Sequence, residues 1–133
     1  MELLHRLPVL VIAALIAAAA MALPAVHAAA IGALTVAMVF AACSALLLVL
    51  GVMVALATAA PPAAAPARGV LATMIGVYAG LPLLCALPFA ILLPDTGLFN
   101  AWWEMLSCLT TTGATLYAAD LLPPTLHLWR ATV

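Results

Sequence analysis

Charge is almost missing from this sequence. Among 133 residues there are three arginines, no lysine and four acids, and charged side chains make up 5% where a soluble domain carries about 25%. Seven ionisable side chains of this kind cannot cover the surface of a globular domain of this length, which excludes water as the main solvent. With no lysine and a net charge of -1 there is no basic face for nucleic acid and no polybasic run for anionic lipid head groups. Cysteine is sparse too. Cys43, Cys85 and Cys108 lie inside apolar stretches without CxxC or Cys/His spacing, which speaks against a disulfide framework or a zinc site and for small apolar core residues. Signals for an enzyme are absent as well: Ser107 has no GxSxG context, His5, His27 and His127 lack ligand spacing, and Glu104 has no carboxylate partner for acid/base work. What is present is a 70% hydrophobic chain, expected to be an all-α integral membrane protein.

The first apolar run, Leu7 to Leu23, follows Glu2, His5 and Arg6 and is expected to be closed by Pro24. Its 17 residues are at the short end for a membrane span. The same start, with the small-x-small sequence Val26-His27-Ala28, also describes a secretory signal, but the chain turns apolar again at once, and a helical hairpin fits better. The second run, Ala28 to Ala60, would be a helix of 33 residues that tilts or protrudes, its membrane core at Leu34 to Leu56. Pro61, Pro62 and Pro66 then mark a loop containing Arg68. A third run, Val70 to Leu93, carries Gly76 and Gly80 at GxxxG spacing, expected to pack closely within the bundle, and is bent by Pro82 and Pro88. Arg6 and Arg68 are two spans apart, so the positive-inside rule places both in the cytoplasm and Asp95 and Asp120 outside. Arg130 does not fit that charge pattern.

After Pro94-Asp95-Thr96-Gly97, the segment Leu98 to Leu109 makes a helix of only about 18 Å, too short for a core of about 30 Å. With Trp102 and Trp103 near its start, it reads as a half-length helix dipping in from an aromatic interface. Thr110-Thr111-Thr112-Gly113-Ala114-Thr115 follows, a poor helix former expected to have irregular backbone, which at membrane depth is tolerated only against protein or along a watery path. The helix end would aim its negative dipole at this turn, and successive carbonyls could then face a cation. Glu104 either braces the run from behind or faces water at the interface; a charge at that depth calls for a partner. The plainer alternative for the whole segment is a Thr/Gly surface loop.

The arrangement resembles the potassium-translocating subunit of bacterial Trk-type uptake systems, in the Trk/Ktr/HKT superfamily. GLPLLCALPF (Gly80 to Phe89) is similar to the end of that family's first outer pore helix. FNAWWEMLSCLTTTGAT (Phe99 to Thr115) is similar to its pore helix and filter, and Leu122-Pro123-Pro124 with Leu128-Trp129-Arg130 to the approach to its inner helix. The resemblance implies an N-terminal helical pair at 1–68, then a first pore repeat at 69–133 with outer helix, re-entrant pore helix, extended filter loop and the start of an inner helix. It implies potassium held by the carbonyls of Thr111, Thr112 and Gly113, flanked by Thr110 and Ala114, with Glu104 and Thr115 in support. Cys108 departs from the small residue familiar at its position. The family builds its pore from four such repeats in one polypeptide, and the sequence stops at Val133, so the expectation is the N-terminal part of a potassium transporter in the bacterial inner membrane. The implied partners are the remaining repeats, a second copy in a homodimer, membrane lipid and a cytosolic nucleotide-binding regulatory subunit. The alternative from another class is a small non-conducting membrane subunit that docks beside a larger complex through its helices.

Overall fold

A computed structural model describes residues 9–58, 67–118 and 122–133. Glu2, His5 and Arg6, the loop prolines Pro61, Pro62 and Pro66, and Asp120 lie outside the described residues, and with them the charges that carry the orientation argument. Among the described residues every regular element is helical. Three stretches are long and apolar enough to cross a membrane: Val9–Ala30 with 22 residues, and Leu34–Ala57 and Gly69–Leu92 with 24 each.

The first stretch consists of α1 (Val9–Ala20) and α2 (Ala22–Ala30), joined at Met21. Pro24 does not close it, contrary to the expectation from sequence. It falls in the first turn of α2, where an N–H would have no intrahelical acceptor, while Met21 N donates to the Ala17 carbonyl at 3.1 Å and Ala25 N to the Met21 carbonyl at 3.3 Å. The helix therefore runs on to Ala30. Nor does a single helix extend from Ala28 to Ala60: the chain turns at 31–33 and restarts as α3 (Leu34–Thr58). Gly32 makes that turn with φ +78°, a left-handed backbone that costs glycine nothing. Gly32 N donates to the Ala29 carbonyl (3.1 Å) and Ala33 N to the Ala28 carbonyl (2.9 Å), the paired bonds of a Schellman helix end.

The third stretch is interrupted, as its prolines require. Helix α4 (Ala67–Ile75) widens into a π turn over Gly76–Gly80, and α5 (Leu81–Cys85) and α6 (Leu87–Leu92) each begin with a proline in the first turn, Pro82 and Pro88. The two glycines differ. A Cβ on Gly76 would come within 2.8 Å of Leu10, so this glycine lets the first and third stretches approach, whereas nothing lies within 4 Å of a Cβ on Gly80. Close packing thus belongs to Gly76 alone of the pair. Beyond them come a 3-10 turn (Pro94–Thr96), α7 (Gly97–Leu109) and α8 (Pro124–Thr132).

The core joins the first and last elements. Phe40 of α3 meets Trp129 of α8 edge to face, centroids 5.8 Å apart, and Met21, Phe89, Met105 and Leu126 complete a fully buried cluster around them. Two hydrogen bonds pin it: Trp129 Nε1 donates to the Cys85 carbonyl at the α5–α6 break (3.1 Å), and Ser44 Oγ to the Ala18 carbonyl beside the Met21 joint (2.7 Å). A third links the distant ends, His27 Nδ1 to Thr125 Oγ1 at 3.1 Å. Outward, α3 exposes Met38, Val49, Met53 and Leu56, an apolar surface suited to lipid. Cys43, Cys85 and Cys108 are free thiols, the first two buried.

Candidate functional site

Helix α7 has 13 residues, about 20 Å of rise, against the roughly 30 Å a spanning helix needs. Its start is a second left-handed glycine, Gly97 at φ +75°, after a turn in which Thr96 Oγ1 donates to the Leu93 carbonyl (2.7 Å). Ala101 and Met105 face the core, fully buried. On its flank, Trp102 Nε1 donates to the carbonyl of Ala79 inside the π turn at 2.9 Å, so the widened helix and the short one are tied by a backbone group.

The end of α7 is where the Thr-rich run begins. Thr111 N donates to the Cys108 carbonyl and Thr112 N to the Ser107 carbonyl, both at 3.0 Å, again a Schellman pattern. The residue in the left-handed position is Thr111, φ +53°, a β-branched side chain where glycine is usual and therefore strained. Thr110 Oγ1 donates to the Leu106 carbonyl and touches Thr112 Oγ1, each at 2.8 Å. The chain then leaves the helix and Gly113 reverses it again at φ +73°, with nothing within 4 Å of a Cβ there. The amides of Thr110, Thr111 and Thr112 are thus spent on the helix, while among the described residues no donor reaches the carbonyls of Thr110, Thr111, Thr112, Gly113 or Ala114. Those five residues are exposed.

Behind them stands Glu104, fully buried. Its Oε2 accepts from the Leu116 amide (2.9 Å) and its Oε1 from Thr115 Oγ1 (3.0 Å), so one carboxylate holds two consecutive residues of the returning strand. Thr115 also approaches the Tyr117 carbonyl at 3.1 Å; of the two acceptors the charged one binds its single proton more strongly. The carboxylate is in turn met by Arg130 of α8, whose Nε lies 2.9 Å from Oε1. The direction of that N–H is off the line of a hydrogen bond, so the contact is a charge pair rather than a directed bond. Further along, Tyr117 stacks at a tilt on Phe89 (5.6 Å) and its hydroxyl donates to Thr96 Oγ1 (3.1 Å), closing the loop onto the start of α7.

A cavity of about 400 Å³ separates the run from α8, lined by Ser107, Thr111, Gly113, His127 and Arg130 among others. Ser107 Oγ is buried there with no hydrogen-bond partner among the described residues. No group of three or more His, Cys, Asp or Glu side chains that could hold a metal ion occurs among the described residues, so the oxygens on offer at this place are backbone and hydroxyl. The structure thus brings Glu104 and Thr115 into contact and sets Thr110 to Ala114 in one exposed run at the helix end. Arg130 is the residue that sequence reasoning left without a role. It lies 26 positions from Glu104, a separation that no helical or strand periodicity marks.

Helical throughout its regular elements and with three helices able to cross a membrane, the chain is of the membrane-protein class. Compared with known protein families, curated proteins and solved structures, it matches none of them.

Proposed function

We propose that this chain is part of a potassium uptake transporter of the bacterial inner membrane, in which the run Thr110 to Ala114 supplies one of four filter segments. The observation that carries the reading is the set of five carbonyls without donors at the C-terminal end of a helix too short to span. Buried backbone polar groups find partners in nearly all native structures, and a row of free oxygens at the negative end of a helix dipole suits a cation that has shed its water. Thr111, Thr112 and Gly113 would provide the central oxygens, and Glu104 with Thr115 would fix the returning strand. One segment cannot enclose an ion, so the reading requires further segments, from other repeats of a longer polypeptide or from other copies. The resemblance to Trk-type subunits adds a homodimer and a cytosolic nucleotide-binding regulator as expected partners.

The test uses the protein encoded by the complete reading frame, in cells lacking other potassium uptake. Because space around Gly113 is open, Gly113→Ser adds no clash and acts through the left-handed backbone alone. The cost of that conformation is on the order of 1 to 3 kcal/mol, relieved by turning a carbonyl away. Expected is a fall in potassium uptake or a rise in sodium permeation at unchanged membrane abundance. Gly80→Ser, with equally open surroundings but an ordinary helical φ of -78°, should do neither. Unaltered uptake and selectivity in Gly113→Ser would reduce the run to a surface loop.

A further inference from the structure

Two opposite charges flank the proposed filter run from different elements. Glu104, from α7, holds Thr115 and Leu116 on one side; Arg130, from α8, lines the cavity shared with Thr111 and Gly113 on the other, its side chain 21% exposed. They meet at 2.9 Å, so a cation seated on the run would sense a neutral pair rather than a lone carboxylate. Neutrality has a chemical consequence. Any uncompensated negative charge beside a dehydrated ion attracts a divalent cation twice as strongly as a monovalent one, and that attraction offsets the greater cost of stripping water from the divalent ion. A site made only of carbonyl dipoles, with no net fixed charge, leaves that dehydration cost standing.

We infer that Arg130 is a specificity-determining residue: by cancelling the charge of Glu104 it keeps divalent cations out of the run. This rests on the ion-path reading above. It differs from a purely structural role for the pair, because the two charges should act on ion valence with opposite signs. In Arg130→Gln the carboxylate keeps its bonds to the Leu116 amide and the Thr115 hydroxyl and stands alone beside the run. In Glu104→Gln the guanidinium, which keeps its proton in any protein setting, is left unbalanced.

The experiment measures block of potassium uptake by barium, a divalent ion close to potassium in radius, using the protein of the complete reading frame at matched membrane abundance. Arg130→Gln should lower the half-blocking barium concentration about tenfold and Glu104→Gln should raise it about tenfold, a unit change of fixed charge close to the ion in each case. The double variant Glu104→Gln/Arg130→Gln, neutral again and free of an unpaired charge, should return to within about threefold of wild type. Shifts of both single variants in the same direction, wild-type barium sensitivity in either, or a double variant beyond both singles would overturn the inference and leave the pair a structural clasp. Those results would leave the ion-path reading standing as long as the wild type carries potassium. A wild type that carries none would remove that reading and this inference together.

Discussion

Helices α2 and α7 end in the same hydrogen-bond pattern with different chemistry. Their last residues before the turn, Ile31 and Thr110, have nearly identical backbones, φ -90° and ψ 6° against φ -88° and ψ 4°. The next residue is left-handed in both, but it is Gly32 in one and Thr111 in the other. At α2 the chain needs only to reverse, glycine does so without strain, and three residues later α3 has begun. At α7 a threonine sits where its Cβ is disfavoured, and the chain goes on through irregular backbone held from behind by Glu104, Thr115 and Arg130. Where a turn serves only connection, the sequence takes the relaxed residue. Where the backbone must present oxygens, strain is accepted and a buried polar network holds it.

The comparison can be broken most forcefully at Glu104. Glu104→Ala should cost about 3 to 5 kcal/mol in unfolding of the detergent-solubilised protein, since it strands Arg130 and frees both residues of the returning strand; a loss near zero would mean the network holds nothing. Next in size, Gly32→Thr, which gives α2 the end that α7 has, should destabilise by about 1 to 3 kcal/mol, read from the same thermal or denaturant midpoint. The reverse exchange, Thr111→Gly, should stabilise the α7 end by up to about 1 kcal/mol, because the left-handed penalty disappears while glycine gives back part of the gain in chain entropy. Equal and opposite shifts for these two would show that both ends are governed by backbone alone. The smallest effect belongs to Thr125→Val, which removes the hydroxyl bonded to His27 and should cost about 0.5 to 1.5 kcal/mol.

The three apolar stretches were legible because lipid demands about 20 apolar residues per helix and the sequence supplies them with few interruptions. The shortness of α7 and the irregular run after it were legible for the same reason, length and residue type both being local. Pro24 misled because a proline ends a helix or begins one depending on its position in a turn, and only the joint at Met21 decides which. Gly32 was the local signal for the true turn, hidden in an Ala-rich stretch where one small residue looks like another. The π turn at Gly76–Gly80 and the distinct surroundings of its two glycines depend on what packs there, Leu10 against one and nothing against the other. Arg130 was opaque because its partner is fixed by how α8 docks on α7, a fact of tertiary structure with no trace in spacing.

The bond from His27 to Thr125 crosses 98 positions of sequence. At translation speeds of about 5 to 20 residues per second, His27 is made roughly 5 to 20 s before the hydroxyl it binds. Trp129, which seals the core against Phe40, is made later still. During that interval the first two helices sit in the bilayer with an imidazole and an aromatic ring awaiting their counterparts. The hairpin is therefore an assembly intermediate with a vacant dock, completed only when α8 arrives, and a nascent chain stalled before Thr125 should remain open to any chaperone or insertase that recognises a polar side chain in lipid.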